Sequence, residues 1–488
     1  MTATDTTESA RGSRTFFGQP PFLANLFGIE LWERFSFYGM QGILLIYLYY
    51  TVEQGGLGID RGAATSIVGA YGGTVYLSTV VGAWLADRLF GAERVLFYSA
   101  ILVMAGHISL ALLPGLVGVG TGLVLVALGS GGVKANATSL VGSLYAEDDD
   151  RRDAGFSLFY LGINVGALLG PLVTGLLQKN IGFHVGFGAA AVGMALGLMQ
   201  YAIARRRVRP QAHEVPHPLA RQHRRPLAAA AAGAVVALAL LAWAGLLPLQ
   251  RLSTIVVVLS GLAAIGYFVV ILRSHAITAV ERRRVLAFIP MFAASAVFWS
   301  LYQQQFTVVT IYSDTRLDRN IFGWQMPVPW VQSINPIFII LLAGVFAAIW
   351  TRLGPRQPST PVKFAAGTAL MGVAFLLFLP LAGGGPNSAP LLALIGILFV
   401  FTLAELLLSP VGLSLSTKLA PRAFRTQMVA LFFLSVALGT AMAGTLAKYY
   451  NESNEAPYFA ALGAVAIALG VALWALNPLL RRMMSGVR

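Results

Sequence analysis

The chain has 488 residues, of which 57% are hydrophobic and 11% are charged, and its formal net charge is +14. A soluble protein usually has about 25% charged residues, so this chain has too little polar surface to cover a water-soluble globule of its size. It contains no cysteine, which excludes disulfides, cysteine metal sites and thiol catalysis. These quantities predict an all-α, polytopic membrane protein.

Apolar runs near 20 residues long and almost free of charge predict about fourteen transmembrane helices, arranged as six, two and six. The first six lie at roughly 22–50, 63–86, 95–113, 118–143, 155–177 and 184–204. The next two lie at roughly 227–248 and 253–272. The last six lie at roughly 285–312, 326–350, 364–382, 389–416, 426–447 and 457–479. The polar segment before the first span lacks an apolar core, so we expect it not to be a signal peptide.

These spans divide the chain into six regions. The predicted regions are a cytoplasmic N-terminal tail (1–21), a six-helix bundle (22–204), a basic cytoplasmic linker (205–226), an inserted helical hairpin (227–273), a second six-helix bundle (274–479) and a cytoplasmic C-terminal tail (480–488). The linker is the clearest boundary, because seven arginines separate two hydrophobic halves. Two bundles around one central linker are typical of pseudo-symmetric transporters.

The positions of the basic residues give an orientation. With both termini in the cytoplasm, most of the 34 lysines and arginines fall on the cytoplasmic side, as the positive-inside rule requires. This asymmetry explains the net charge without a nucleic-acid partner, and the basic linker has no aromatic residue to stack on bases. We therefore expect a protein of the lipid bilayer with no nucleic-acid partner, and we also expect it to be a monomer.

Few ionisable residues lie within the predicted spans, and such residues mark ion or substrate pathways by default. Glu30, Glu33 and Arg34 in the first span are spaced i, i+3, i+4 and share one helix face, with Tyr38 one turn further along. Lys134 is the only other buried base predicted in the first bundle. A carboxylate that exchanges an ammonium partner for a proton would act as a proton carrier. The alternative is a static structural ion pair.

Glu405 stands alone in the second bundle, with no predicted buried base beside it. Such a carboxylate is either protonated and only ties helices together, or it awaits a cation from outside. Arg34 and Lys134 in the first bundle suit a carboxylate, so the site has a positive and a negative pole. This arrangement favours a zwitterion such as an amino acid or a short peptide.

Several motifs, in order along the chain, resemble those of the proton-dependent oligopeptide transporters of the major facilitator superfamily. They are Glu30-Leu-Trp-Glu33-Arg34-Phe-Ser-Phe-Tyr38, Gly131-Gly-Val-Lys134-Ala-Asn136, Phe156-Ser-Leu-Phe-Tyr160-Leu-Gly-Ile-Asn164, Gln332-Ser-Ile-Asn335-Pro336 and Glu405 to Pro410. The likeness covers nearly the whole chain, and the inserted hairpin is similar to that of bacterial members with fourteen helices. The resemblance implies the major facilitator fold and a location in a bacterial cytoplasmic membrane.

The resemblance also implies a role for each residue of the site. Arg34, Tyr38 and Lys134 would hold the peptide carboxylate. Glu405, Asn164 and Asn335 would hold the amino terminus. Tyr71 would line the pocket, and Glu30 and Glu33 would take part in proton coupling with Arg34 and Lys134. Helix–helix hydrogen bonding is the alternative for the two asparagines, and plain packing is the alternative for Tyr71.

The chain departs from the family pattern at a few positions. Gln303 stands where many bacterial relatives carry glutamate, and Gln41 stands where they carry a second arginine. Both charges are absent together, which is consistent because removing one alone would leave the other unpaired. His107 is expected to be a packed, hydrogen-bonded residue. Asp314, just after the span predicted at 285–312, is expected either in an outer gate or in a solvated loop.

Together these features predict a proton-coupled importer of di- and tripeptides that works by alternating access and needs no cofactor or metal besides the coupling proton. A facilitator of another anion such as nitrate is the alternative within the same class. A membrane-embedded enzyme is the alternative from another class, but one buried histidine and no cysteine offer it little. A channel would need a ring of pore charges, which the sequence does not show.

Overall fold

The computed structural model describes residues 15–146, 149–205 and 210–485, and this part of the chain is almost entirely helical. Most of the predicted N-terminal tail, four residues of the basic linker and the last three residues therefore lie outside the described residues. The only strands within these ranges are β1 (Asn320–Ile321) and β2 (Trp324–Gln325), which pair antiparallel.

The first half of the molecule consists of six long helices. They are α1 (Leu23–Tyr49), α2 (Arg61–Leu85), α3 (Ala92–Leu112), α4 (Gly115–Ser143), α5 (Arg152–Asn180) and α6 (Phe183–Ala204). Helix α1 packs against α5 and α6, while α3 packs against α4 and α6. Because α1 lies at the centre of this half, it is buried along most of its length, including its charged residues.

Two hairpin helices and the second half follow. The hairpin consists of α7 (Arg221–Trp243) and α8 (Leu252–Arg273). The second half consists of α9 (Ala279–Tyr302), α10 (Val308–Thr315), α11 (Ile334–Leu353), α12 (Thr360–Leu376), α13 (Leu391–Lys418), α14 (Arg425–Ala447), α15 (Glu455–Ala475) and the short α16 (Asn477–Met483). Helix α12 packs against α13 and α15, and α14 packs against α9.

The predicted span at 285–312 is not one continuous helix. Helix α9 ends at Tyr302, a 3-10 turn covers Gln303–Phe306, and α10 begins at Val308. A tighter turn of this kind releases backbone carbonyls from the helical pattern. One of them, the Gln305 carbonyl, accepts a hydrogen bond from Thr310 Oγ1 at 2.8 Å. The break turns Gln303 and Gln305 toward the space between the two halves, while Gln304 accepts a hydrogen bond from Tyr458 within the second half.

Eleven helical segments of the described chain are long and apolar enough to cross a membrane. Helix α1 is not among them and carries Glu30, Glu33 and Arg34. The count of fourteen spans stays a prediction. Large apolar side chains, such as Val124, Val192, Leu341 and Trp474, are exposed on the outward faces of the helices. Exposed apolar surface of this extent fits a lipid surrounding.

The two halves meet closely along α2 and α14. A Cβ atom on Gly69 would lie 2.6 Å from the Cα of Gly444, so this crossing requires glycine at both positions. Helix α8 of the hairpin packs beside this seam, and its Ser253 is fully buried. The Ser253 hydroxyl lies 3.1 Å from that of Ser66 on α2 and accepts a hydrogen bond from Thr445 of α14 at 2.9 Å.

Candidate functional site

A cavity of about 810 Å³ lies between the two halves. Its charged lining residues are Glu30, Arg34, Lys134, Arg152 and Glu405, and its polar and aromatic lining residues include Tyr38, Gln41, Tyr76, Tyr160, Asn164, Trp299, Tyr302, Gln303, Gln332 and Asn335. The structure thus brings most of the predicted site residues to one cavity. The three basic groups and Glu30 come from the first half, and Glu405 is the charged lining residue of the second half.

Glu30, Glu33 and Arg34 form one buried ion cluster on α1. The Nε atom of Arg34 lies 2.8 Å from Glu30 Oε1 and 3.1 Å from Glu33 Oε2. All three side chains are at most 4% exposed. Glu30 and Arg34 line the cavity, whereas Glu33 lies behind them. Glu33 Oε1 accepts a 2.5 Å hydrogen bond from Ser130 on α4.

Lys134 lies one helical turn after Ser130 on α4 and reaches the cavity. Its ammonium group sits 4.1 Å from the centre of the Tyr76 ring on α2, an arrangement that stabilises a cation by attraction to the ring face. It forms no ion pair within 4 Å of a described carboxylate. Lys134 is therefore a cation held at the cavity surface without an acidic partner.

Glu405 on α13 is held by neutral donors from two other helices. Tyr302 of α9 donates to Glu405 Oε2 at 2.9 Å, and Asn335 of α11 donates to the same oxygen at 3.1 Å. Asn335 also donates to Thr402 at 3.0 Å, and its own Oδ1 accepts from Tyr302 at 3.2 Å. These bonds fix the carboxylate, while its other oxygen accepts no hydrogen bond from a described residue.

The remaining predicted site residues take three different positions. Tyr38 lines the cavity and stacks on Phe306 with 6.1 Å between ring centres. Asn164 lines it as well, and its amide donates to the Tyr160 carbonyl at 2.9 Å. Tyr71 is absent from the lining of this cavity; it is 4% exposed and lies behind Phe37, 5.9 Å away between ring centres. The expectation that Tyr71 lines the pocket is thus not met in this conformation.

The sequence analysis gave no role to three residues of the site. Ser130 binds Glu33, Tyr302 binds Glu405, and Tyr76 faces Lys134. Ser130 had a readable signal, because it lies four residues before Lys134 and so on the same helix face. Tyr302 and Tyr76 meet their partners across separate helices, and no local pattern in the sequence shows such a contact.

The two glutamines that depart from the family pattern are also found at the cavity. Gln41 and Gln303 both line it, and the Gln303 side chain lies within hydrogen-bonding reach of the Tyr76 hydroxyl. His107 is fully buried within the first half, as expected, but neither ring nitrogen has a hydrogen-bond partner among the described residues, so the expected hydrogen bond is not found there. Among all the residues that the structure describes, no group of three His, Asp or Glu residues is placed to hold a metal ion.

Two further acids are buried that lie outside the predicted spans. Glu93 at the start of α3 is fully buried and pairs with Arg205 at 2.9 Å. Glu455 at the start of α15 is 2% exposed and pairs with Arg316 at 2.9 Å. Both lie at helix ends that neighbouring segments cover, so buried acids are not confined to the Glu30, Glu33 and Glu405 of the sequence analysis. The side of the molecule that carries Glu93 is called the Glu93 end below.

The opposite side, called the Asp314 end, is closed by contacts between the halves. Tyr49 and Tyr50 at the end of α1 donate to the two carboxylate oxygens of Asp314 at 2.6 and 2.8 Å. Trp330 donates to the Leu172 carbonyl at 3.0 Å across the same boundary. Asp314 therefore joins the halves, as expected for a gate residue, and is only partly exposed. The cavity lining continues instead to Gly142 and Arg152 at the Glu93 end.

An all-helical membrane protein whose two halves enclose a central charged cavity belongs to the transporters of the major facilitator type. The profile described as "POT family" matches residues 93–465, and the chain belongs to this family. The chain is similar to the "Di-/tripeptide transporter" of Lactococcus lactis subsp. lactis (strain IL1403), with 40% identity over 97% of this chain and 98% of the relative. The resemblance and the fold class predicted from the motifs are thereby confirmed.

Solved structures match the whole fold. A crystal structure of peptide transporter POT in complex with sulfate has a TM-score of 0.92 and 45% identity, and 97% of each chain is covered. A crystal structure of a POT family transporter in complex with 5-aminolevulinic acid has a TM-score of 0.91 and 38% identity, and the match covers 96% of this chain and 98% of that one.

Proposed function

We propose that this protein is a symporter that imports di- and tripeptides together with protons across a bacterial cytoplasmic membrane. One observation carries the proposal: a single cavity has Arg34 and Lys134 on one wall and Glu405 on the other. A small zwitterion satisfies both walls at once. The relatives described above, a di-/tripeptide transporter and a transporter that binds 5-aminolevulinic acid, support a ligand with both an amino group and a carboxylate.

The peptide carboxylate binds to Lys134 and to Arg34. Lys134 has no carboxylate partner, and only the Nε atom of Arg34 is engaged by Glu30 and Glu33, so its terminal amino groups remain available. Tyr38 supplies a hydroxyl on the same helix face as Arg34, one turn away. Hydrogen bonds between charged groups are about twice as strong as neutral ones, which makes this wall the main determinant of affinity for a carboxylate.

The peptide amino group binds to Glu405. Tyr302 and Asn335 both donate to one oxygen and leave the other for the ligand. Because Asn335 uses its amide on Glu405 and Thr402, it positions the carboxylate and does not itself contact the peptide. Asn164 keeps its carbonyl oxygen free and accepts a hydrogen bond from the amino group.

Proton coupling takes place at the ion cluster on α1. Two carboxylates share one guanidinium there, so the cluster carries an excess negative charge that a proton neutralises. Glu30 faces the cavity and can exchange a proton with it, while Glu33 lies behind and is bonded to Ser130. Protonation of Glu30 weakens its hold on Arg34 and frees the guanidinium for the peptide carboxylate, so the two binding events support each other.

The structure corresponds to the inward-facing state of an alternating-access cycle, with both termini in the cytoplasm. The Asp314 end, closed by Tyr49 and Tyr50, faces outward, and the Glu93 end faces the cytoplasm. The protein works as a monomer, because the complete cavity is built by one chain. Opening the outer end requires the two tyrosines to leave Asp314 while the inner end closes.

Counterflow of labelled dialanine in proteoliposomes tests this function. We expect saturable exchange without a proton gradient, and net uptake only when the outside is made more acidic than the inside. The amidated peptide, which lacks the carboxylate, and the N-acetylated peptide, which lacks the amino group, should both compete poorly. Absence of saturable dialanine exchange would overturn the peptide assignment, and net accumulation that ignores the pH gradient would overturn the coupling.

A further inference from the structure

A third cation lines the first-half wall of the cavity besides Arg34 and Lys134. It is Arg152, the first residue of α5, and it lies at the Glu93 end. Its side chain is half-buried and forms no hydrogen bond or ion pair with a described residue. A guanidinium that is partly withdrawn from water and has no partner among the described residues can bind an anionic group of a ligand through charge-assisted hydrogen bonds.

Arg152 belongs to the same continuous wall as the central site. Phe156, Tyr160 and Asn164 follow it on α5 at four-residue intervals, and all four residues line the cavity. Residues with this spacing share one helix face. Of the residues on this face, Arg152 is therefore the nearest to the Glu93 end, and Asn164 is the farthest from it.

Among the described residues, no acid bonds to the Arg152 side chain. The lining residues contributed by the second half include Ser409, Leu413, Thr426 and Val429, none of which carries a charge. The neighbouring Arg151 behaves differently: it is exposed, lies outside the cavity lining, and bonds to both carboxylate oxygens of Asp149 at 3.1 and 2.9 Å. Two adjacent arginines thus have different surroundings, and of the two only Arg151 pairs with a described carboxylate.

The distance to the central site suits a substrate side chain. Lys134 lies nine residues before the end of α4 at Ser143, or roughly 14 Å along the helix axis. Arg152 begins the next helix at that level. An extended arginine side chain covers about 6 Å of this distance, and an acidic side chain of a bound peptide covers most of the rest by ordinary bond lengths.

We infer that Arg152 is a second carboxylate-binding subsite, which binds the side chain of an aspartate or glutamate in a peptide whose terminal carboxylate lies at Lys134. This inference rests on the proposed peptide transport and adds a preference to it. Acidic peptides gain a second charged contact, neutral ones do not, and basic ones meet repulsion. The first-half wall thereby selects substrates by charge as well as by their termini.

The test compares three competitors in labelled dialanine counterflow: Ala-Glu, its neutral analogue of the same shape Ala-Gln, and Ala-Lys. In R152Q we expect the half-inhibitory concentration of Ala-Glu to rise about five- to tenfold, near the lower limit for loss of one hydrogen bond to a charged group. Ala-Gln should change less than about twofold, because it makes no charged contact there. Ala-Lys should compete equally well or better. R151Q is the matched control and should behave as the unmodified protein.

Equal shifts for Ala-Glu and Ala-Gln, or no shift for either, would overturn the subsite. Dialanine exchange by R152Q itself shows whether the variant is folded. If that exchange is lost, R152K repeats the comparison: it keeps the positive charge, so the preference for Ala-Glu over Ala-Gln must persist, and its disappearance would also overturn the subsite. Failure of the unmodified protein to exchange dialanine would instead contradict the proposed function.

Discussion

The two walls of the central cavity hold their charges in different ways. On the first-half wall, Glu30 and Glu33 bond to a positive partner, Arg34, within 3.1 Å. On the second-half wall, Glu405 is held only by uncharged donors, Tyr302 and Asn335. The first wall can therefore exchange its partners when a proton arrives, whereas the second presents one fixed acceptor.

This difference assigns separate tasks to the walls. A cluster of mutually paired charges changes its net charge with each proton, so it is suited to coupling. A single carboxylate fixed by neutral hydrogen bonds is a pre-arranged receptor for a cation, and its geometry costs little to maintain during binding. Variants that affect only coupling, or only affinity, distinguish the two tasks.

The largest effect is expected at Lys134, which supplies positive charge to the first-half wall of the cavity. K134A removes the cation that has no carboxylate partner, so we expect proton-driven dialanine uptake to fall by about a hundredfold or more, as for loss of a buried charged contact. Initial uptake rates under an imposed pH gradient measure this. K134R is the control and should retain part of the activity. Uptake by K134A at the unmodified rate would remove the proposed role of Lys134.

A smaller effect is expected at Glu405. E405Q keeps the shape but removes the charge, and we expect the affinity for dialanine to fall about ten- to a hundredfold, the loss typical of a hydrogen bond to a charged group. The affinity for propionyl-alanine, which lacks the amino group, should change little. Competition against labelled peptide gives both values. If the two ligands lose affinity equally, Glu405 does not bind the amino group.

A moderate effect on coupling alone is expected at Ser130. S130A removes the hydroxyl that bonds to Glu33, so the balance between the two carboxylates changes while the peptide contacts remain. We expect proton-driven uptake to fall about threefold to tenfold, less than for full loss of a hydrogen bond to a charged group because Arg34 still pairs with Glu33, and counterflow to stay within about twofold. S130T, which restores a hydroxyl, should recover the coupling. Parallel loss of both activities would indicate a folding defect instead of a coupling defect.

The smallest effect is expected at Gln303. It lies near Tyr76 between the walls, but it carries no ionisable group and cannot take up a proton. We therefore expect Q303A to leave the dependence of uptake on the pH gradient unchanged, with rates within about threefold, because loss of one neutral hydrogen bond costs only about 0.5–1.5 kcal/mol. Transport-coupled proton uptake, followed with an internal pH dye, checks this. Loss of proton drive would show that the family departure has been misinterpreted.

The charged half of the site could be predicted from the sequence, because charge in an apolar span is conspicuous and helical spacing shows which groups share a face. Glu30, Glu33 and Arg34 were placed together for this reason. The sequence does not show in the same way how a helix is rotated about its axis, and so which of its faces lines the cavity. Tyr71 and Tyr76 are five residues apart on α2 and thus about 140° apart around its axis, and only Tyr76 faces the cavity.

Contacts between segments that are distant along the chain could not be predicted from the sequence either. Glu93 and Glu455 looked like loop residues because they lie at helix starts, and their burial depends on how Arg205 and Arg316 pack over them. The hydrogen bonds of Glu405 join three helices and follow from tertiary packing alone.

The buried serine of the hairpin has a mechanical consequence for the transport cycle. Ser253 bonds to Ser66 in the first half and to Thr445 in the second, next to the glycine crossing at Gly69 and Gly444. Any movement that parts α2 from α14 at this level must break at least one of these bonds or carry α8 along with one partner. Opening of the outer entrance therefore requires the hairpin to shift relative to one of the two halves. No described side chain of the hairpin lines the substrate cavity.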